Sequence, residues 1–144
     1  MLIDLQTYPK LSTLSLRREC RMAPLRVLHV DDEADIRLLV KLSLELDPDL
    51  VTRSYGTGSE ALAAAADWRP DLVLLDLIMP DMGGVGTLAR LRVHLSSRIP
   101  VVFMTGARRA HEPQYFRSLG AAGVIFKPFV PTALAASVRD FLRR

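Results

Sequence analysis

The feature that most constrains the fold is a regular alternation of short apolar runs with segments of helical periodicity. Five such runs occur between residues 25 and 144, and each precedes a segment in which apolar residues recur every three or four positions. The runs are too uniformly apolar to leave one face in water, which is typical of parallel strands covered on both sides. Because crossover connections between parallel strands are right-handed, the pattern predicts a doubly wound α/β sandwich around a five-stranded parallel sheet.

Proline and glycine residues separate the predicted elements. Pro48, Pro70 and Pro100 each precede a strand, and Gly56 and Gly58 indicate a turn after the second one. The predicted strands are residues 25–30, 50–55, 72–76, 101–104 and 123–126. The predicted helices are a first one that contains residues 36–44, followed by residues 59–67, 85–94, 112–119 and 132–142.

Residues 1–24 do not share this alternation, so we expect a poorly ordered leader before a single domain of residues 25–144. An amphipathic segment that binds a partner is the alternative for the leader. The single cysteine, Cys20, cannot form an internal disulfide, which favours a reducing compartment. No run of about 18–20 apolar residues and no secretory signal is present, so we expect a cytoplasmic protein that does not enter a membrane.

The net charge of +3 is a weak argument for a nucleic-acid partner. Residues 1–24 contain four basic and two acidic side chains, so the body of the chain is nearly neutral. A basic face that follows phosphates would therefore require that charges segregate in space. We expect no nucleic-acid binding.

Polar residues lie at the ends of four predicted strands. Asp31 and Asp32 follow the first strand, Asp76 ends the third, Thr105 follows the fourth and Lys127 ends the fifth. The carboxyl ends of parallel strands share one edge of the sheet, where ligands collect. Three converging carboxylates would repel one another, and a divalent cation resolves that repulsion. Oxygen ligands without paired His or Cys favour Mg²⁺.

Each of these residues also has a purely structural interpretation. Asp31 and Asp32 could cap the first helix, Asp76 and Thr105 could belong to turns, and Lys127 could be a solvated lysine. Their joint position at four strand ends favours one shared site over separate structural roles.

Four segments resemble the receiver domain of two-component response regulators. They are Val-Asp-Asp-Glu at 30–33, Pro-Asp-Leu-Val-Leu-Leu-Asp-Leu-Ile-Met-Pro at 70–80, Met-Thr-Gly at 104–106 and Lys-Pro-Phe at 127–129. The resemblance covers residues 25–144 and implies a flavodoxin-like (βα)₅ fold. It also implies a signalling domain, not an enzyme in the usual sense, that accepts a phosphoryl group from a histidine kinase or a phosphotransfer protein.

The resemblance assigns a role to each residue at the strand ends. Asp76 matches the phosphoacceptor. Asp31 and Asp32, with Asp76 and the main-chain carbonyl of Ile78, match the ligands of Mg²⁺. Thr105 matches the switch hydroxyl. Lys127 matches the lysine that contacts the phosphoryl group, and a cis peptide bond before Pro128 is expected to direct it toward the site.

Three positions set this chain apart within the family pattern. Most receivers carry Tyr or Phe three residues before the lysine, where this chain has Val124. Phe126, on the same strand face, is the candidate to replace that aromatic side chain in part. Ile78 and Ala107 occupy positions that tune access of water to the acyl phosphate, and neither can orient a water through its side chain. We therefore expect no unusually fast self-dephosphorylation.

No output module is expected, because the last predicted helix ends near residue 144. The sequence therefore predicts a stand-alone receiver that signals through protein contacts or passes the phosphoryl group onward. Tyr115, Phe116 and Arg117 are candidates for the partner face, and ordinary amphipathic packing is the equal alternative for them. A pseudo-receiver that keeps the fold without phosphorylation is the alternative. A flavin- or nucleotide-binding protein is disfavoured, because the first strand–helix turn is acidic where a phosphate-binding loop needs Gly and free amides.

Overall fold

Strands and helices alternate along the part of the chain that this computed structural model describes, residues 23–106 and 113–144. The strands are β1 (Leu25–Val30), β2 (Leu50–Tyr55), β3 (Leu72–Asp76), β4 (Val101–Thr105) and β5 (Gly123–Phe126). The helices are α1 (Ala34–Leu44), α2 (Gly58–Trp68), α3 (Gly83–His94), α4 (Pro113–Ser118) and α5 (Pro131–Arg143). The poorly ordered leader was predicted for residues 1–24, and its first 22 residues lie outside the described part. None of the described helices combines the length and apolar character needed to cross a bilayer.

All five strands are parallel and form one sheet in the order β2-β1-β3-β4-β5. The chain runs outward from β1 to β2 on one side and from β3 to β5 on the other, so the strand order reverses between β1 and β3. In an open α/β sheet a crevice forms at the carboxyl ends of the strands at this reversal. The doubly wound α/β architecture predicted from the sequence is confirmed.

The helices cover both faces of the sheet. Helices α1 and α5 pack on one face through Val40, Leu44, Leu134 and Val138, opposite Val27, Leu72, Leu74, Val102 and Met104. Helices α2, α3 and α4 pack on the other face through Ala61, Ala65, Leu88, Leu91 and Phe116, opposite Leu28, Val30, Val73, Leu75 and Phe103. Strands β3 and β4 are buried along their whole length, which explains why they read as continuous apolar runs.

Three helices begin earlier than the sequence predicted, α5 by one residue at Pro131 and α2 and α3 as follows. Helix α2 starts at Gly58 because Thr57 caps it: the Thr57 hydroxyl accepts the Glu60 N–H at 3.2 Å and lies 3.1 Å from the Glu60 carboxylate. Helix α3 starts at Gly83, where the backbone φ is 66°, two residues before the predicted start. Glycine has low helix propensity, so this first turn gives no helical signal in the sequence.

Candidate functional site

Two buried aspartates lie side by side where the strand order reverses. Val30 and Leu75 are paired in register, so Asp31 after β1 and Asp76 at the end of β3 follow neighbouring strand ends. Oxygen atoms from the carboxylates of Asp31, Asp32 and Asp76 all lie within 4.8 Å of one another. The structure thus brings together the three acids that the sequence predicted at this edge.

Burial differs between the two adjacent aspartates of the loop. The side chain of Asp31 is fully buried, whereas Asp32 is exposed and leaves the cluster open to solvent. Oδ1 of Asp31 accepts the N–H of Glu33 at 2.9 Å, and the main-chain carbonyl of Asp31 accepts an N–H of Arg37 at 2.8 Å. The residue that caps α1 is Glu33, without a side-chain hydrogen bond, so helix capping does not account for the pair.

Lys127 provides the positive charge of the cluster. Its Nζ lies 2.6 Å from Oδ2 of Asp31 and 3.6 Å from Oδ1 of Asp76. Burial opposes the charged ammonium, but the hydrogen bond to Asp31 and the charges of both aspartates outweigh it and raise the pKa of Lys127. The peptide bond between Lys127 and Pro128 is cis, as the resemblance implied.

The cluster retains uncompensated negative charge. Burial and then the charge of Asp31 raise the pKa of Asp76 from its ordinary value of 3.8 to about 6. The ammonium of Lys127 and a hydrogen bond from the main-chain N–H of Ile78 act in the opposite direction without cancelling this shift. Oxygen donors with excess negative charge and one open side fit a hard divalent cation such as Mg²⁺. The Ile78 side chain is 70% exposed, and its main-chain carbonyl as a further ligand stays a prediction.

The predicted switch residues lie on the adjacent strands. Thr105 is buried at the end of β4, and its carbonyl accepts the N–H of Lys127 at 2.8 Å. Phe126 pairs with Thr105 in register, and its ring lies 6.5 Å from that of Phe116 in an edge-on arrangement. Val124 packs partly buried on the same face as Phe126. A participation of Phe126 in signalling stays a prediction.

Open space and one earlier expectation concern the residues after β4. A Cβ built on Gly106 would meet no atom within 4 Å, so the space beside this residue is open. Ala107, expected to influence dephosphorylation, lies outside the described residues. The three residues expected on the partner face differ in burial. Phe116 is buried, whereas Tyr115 and Arg117 are exposed.

Sequence reasoning missed the contribution of Gly84. Its N–H donates to the carbonyl of Leu77 at 3.0 Å, and a Cβ at this position would lie 2.4 Å from the carbonyl oxygen of Asp76. Only glycine therefore allows α3 to approach the strand end that carries Asp76. The Gly83-Gly84 pair directly before the predicted helix at residues 85–94 was the available signal.

Similar proteins share both the sequence and the fold of the described domain. The DNA-binding response regulator MtrA of Mycobacterium tuberculosis (strain H37Rv) is 38% identical over 119 residues, which are 83% of this chain and 51% of that protein. MtrA of Mycobacterium leprae is also 38% identical, with 83% and 52% covered. The chain spans about half the length of these curated relatives.

Solved structures of similar fold include chemotaxis protein CheY4 of Vibrio cholerae, with a TM-score of 0.73, 30% identity, and 83% of this chain and 99% of that chain covered. A CheY-like receiver domain protein of Methanospirillum hungatei has a TM-score of 0.74 and 25% identity, with 84% and 95% covered. A sequence model of the response regulator receiver domain matches residues 27–139. With the acidic cluster at the strand reversal, these likenesses show that the chain belongs to the response regulator receiver domain family, a family of two-component signalling domains.

Proposed function

We propose that this receiver accepts a phosphoryl group on Asp76 from a histidine kinase or a histidine phosphotransfer protein, with Mg²⁺ bound by Asp31, Asp32 and Asp76. The observation that carries the proposal is the cluster of three carboxylates within 4.8 Å of one another, with Lys127 Nζ 3.6 Å from Asp76. Three carboxylates this close repel one another, and a bound cation together with a role in phosphoryl transfer accounts for their arrangement.

The side chains support a transfer in which the protein mainly positions charge. With a pKa of about 6, Asp76 is mostly ionised near neutral pH, so an oxygen lone pair is available to attack phosphorus. The O–P bond forms as the bond from phosphorus to the donor nitrogen breaks, and the donor imidazole keeps that electron pair. Lys127 lies close enough to contact the added phosphoryl oxygens. When bound, Mg²⁺ supplies positive charge that offsets the carboxylates and the phosphoryl group.

We propose that Thr105 and Phe126 report the phosphorylated state. The added phosphoryl oxygens are strong acceptors, which would attract the Thr105 hydroxyl through a charge-assisted hydrogen bond. Phe126 is the register neighbour of Thr105, so a shift of Thr105 would change the space beside this ring. Equal binding of a phosphorylation-dependent partner by wild type and Phe126→Ala would contradict this part of the proposal.

The phosphorylation test uses a small phosphodonor, acetyl phosphate, in the presence of Mg²⁺. Intact-mass measurement of the wild type is expected to show one added phosphoryl group, which EDTA prevents and Asp76→Asn lacks. Asp67→Asn, at an exposed carboxylate on α2, is the matched control and should be labelled like the wild type. A wild type that binds Mg²⁺ but gains no label would indicate the pseudo-receiver instead.

The partners follow from the same chemistry. Phosphoryl transfer from a kinase draws on ATP, so we propose that the reaction takes place in the cytoplasm. The two MtrA relatives are named as DNA-binding response regulators, and each is about twice as long as the region it shares with this chain. The name describes those proteins. For residues 25–144 we propose that protein contacts, not nucleic acid, transmit the phosphorylated state. A phosphodonor-dependent pull-down with the wild type and Asp76→Asn would test this.

A further inference from the structure

A second charged recess lies at the opposite edge of the sheet from the acidic cluster. It has a volume of about 250 Å³ and lies before the amino ends of β4 and β5, where Pro100 and Ala122 contribute to its wall. The five residues of β4 separate it from the carboxyl edge by about 16 Å. The recess is therefore independent of the site proposed for phosphorylation.

Three arginines from different elements line this recess. Arg92 comes from the last turn of α3, Arg98 from the α3–β4 loop and Arg144 from the end of α5. None of the residues that line it is acidic. The lining residues therefore carry a net positive charge.

Among the described residues, no carboxylate compensates the arginines of the recess, in contrast to an arginine elsewhere in the domain. Arg139 of α5 illustrates the compensated case, because its guanidinium donates to the carboxylates of Asp47 and Asp49 at 3.0 and 3.1 Å. Arg92 instead donates to the main-chain carbonyls of Ser96, Ile99 and Gly120 at 3.2, 2.7 and 3.4 Å. A guanidinium has five N–H donors, so two remain on Arg92 after these bonds.

Partial burial makes it costly for the Arg92 guanidinium to lie without a carboxylate partner among the described residues. Arg92 is half-buried, and its desolvation lowers the pKa of the guanidinium. Within the described ranges, no ion pair links Arg92, Arg98 or Arg144 to a carboxylate. The guanidinium of Arg144 lies over the ring of Phe141 at 4.8 Å, which fixes one wall of the recess. An anion in this position would supply the missing charge.

We propose that the recess lined by Arg92, Arg98 and Arg144 binds a small anion that carries a phosphate group. Guanidinium groups match the geometry of phosphate oxygens, and the hydroxyl of Ser97 adds a further donor to the lining. The volume is smaller than that of pockets for drug-sized ligands and suits a compact anion such as pyrophosphate. The bound anion would join the α3–β4 loop, the α4–β5 turn and the end of α5.

The test is an NMR titration of the full chain with pyrophosphate in EDTA, so that the acidic edge has no bound cation. Saturable shifts are expected at the amides of Ser97, Arg98 and Gly120. Arg98→Gln and Arg144→Gln should each weaken binding about tenfold, the usual effect of losing one charge-assisted hydrogen bond. Arg53→Gln is the matched control, because Arg53 is exposed over the Trp68 ring and does not line the recess.

Three results would overturn the proposal. One is the absence of saturable shifts at these amides. Another is an equal loss of affinity in Arg53→Gln, which would indicate attraction by net charge alone. The third uses a short DNA duplex as a second ligand. Amide shifts with the duplex but none with pyrophosphate would show that the recess binds a phosphodiester backbone and not a small anion. Arg92 is left intact throughout, because its bonds hold the loop together.

Discussion

Replacing Asp76 by asparagine is expected to stabilise the metal-free domain at neutral pH, although it removes the proposed phosphoacceptor. Asp76 is 6% exposed, and burial together with the charge of Asp31 raises its pKa to about 6. Lys127 stays paired with Asp31 at 2.6 Å in the variant, so no buried charge loses its partner. The substitution therefore removes repulsion without leaving an orphaned ion.

The magnitude follows from the shift in pKa. A carboxyl whose pKa is higher in the folded than in the unfolded chain stabilises the fold below its unfolded pKa of 3.8, and this contribution is lost as the pH rises through 6. A shift of about two pH units corresponds to about 3 kcal/mol, which relaxation and solvent near Asp32 reduce. We expect the free energy of unfolding to rise by about 1–3 kcal/mol near neutral pH and the gain to disappear near pH 4.

Urea denaturation in EDTA measures this difference. Asp67→Asn, on an exposed turn of α2, is the control and should change the free energy of unfolding by less than about 0.5 kcal/mol. Added Mg²⁺ should stabilise the wild type by mass action and have little effect on Asp76→Asn. An unfolding free energy for Asp76→Asn equal to or below that of the wild type, near neutral pH and without metal, would refute the reasoning.

Two further predictions concern the surroundings of the site. Gly84→Ala should lower the free energy of unfolding by about 1–3 kcal/mol in urea denaturation, because its Cβ would lie 2.4 Å from the carbonyl oxygen of Asp76. Gly86→Ala is the control and should not, because its Cβ would meet only the Met82 side chain, 3.2 Å from Cβ of that residue. Burial lowers the pKa of His29 to about 4. The neutral imidazole therefore stabilises the fold fully above pH 6.5, and about 3 kcal/mol of the free energy of unfolding is lost as the pH falls through 4. In unfolding measured against pH, His29→Gln should lose this dependence; a curve that parallels the wild type would contradict it.

The fold was predictable because its strands are recognisable in the sequence. Four of the five strands have the predicted bounds, and β4 extends by one residue to Thr105. Their apolar runs are continuous because both faces of the sheet are covered, and prolines separate them from the helices. The early start of α3 was not predictable, because two glycines carry no helical signal and the reason for them is a close contact with the distant strand β3.

The sequence predicted which side chains meet at the carboxyl edge, but not their burial or their contacts. Strand ends place Asp31, Asp76 and Lys127 at one edge from periodicity alone. The sequence cannot tell that Asp31 is fully buried and bonded to Lys127 at 2.6 Å while Asp32 faces solvent. That difference depends on how the chain turns after β1. The basic recess was not predictable either, because Arg144 is distant along the chain from Arg92 and Arg98, and only the fold brings the three together.

The two charged edges follow from the direction in which the helices run. In a parallel α/β sandwich every helix begins at the carboxyl edge and ends at the amino edge of the sheet, so the positive ends of the helix dipoles lie on the side of Asp31 and Asp76. The negative ends lie on the side of Arg92 and Arg144, where cations are favoured. Acidic and basic side chains are therefore separated between the two edges, although the body of the chain is nearly neutral, and we propose phosphate chemistry at both. A divalent cation distinguishes the two proposals: we expect phosphorylation at the acidic edge to require it, and the basic recess to bind an anion without it.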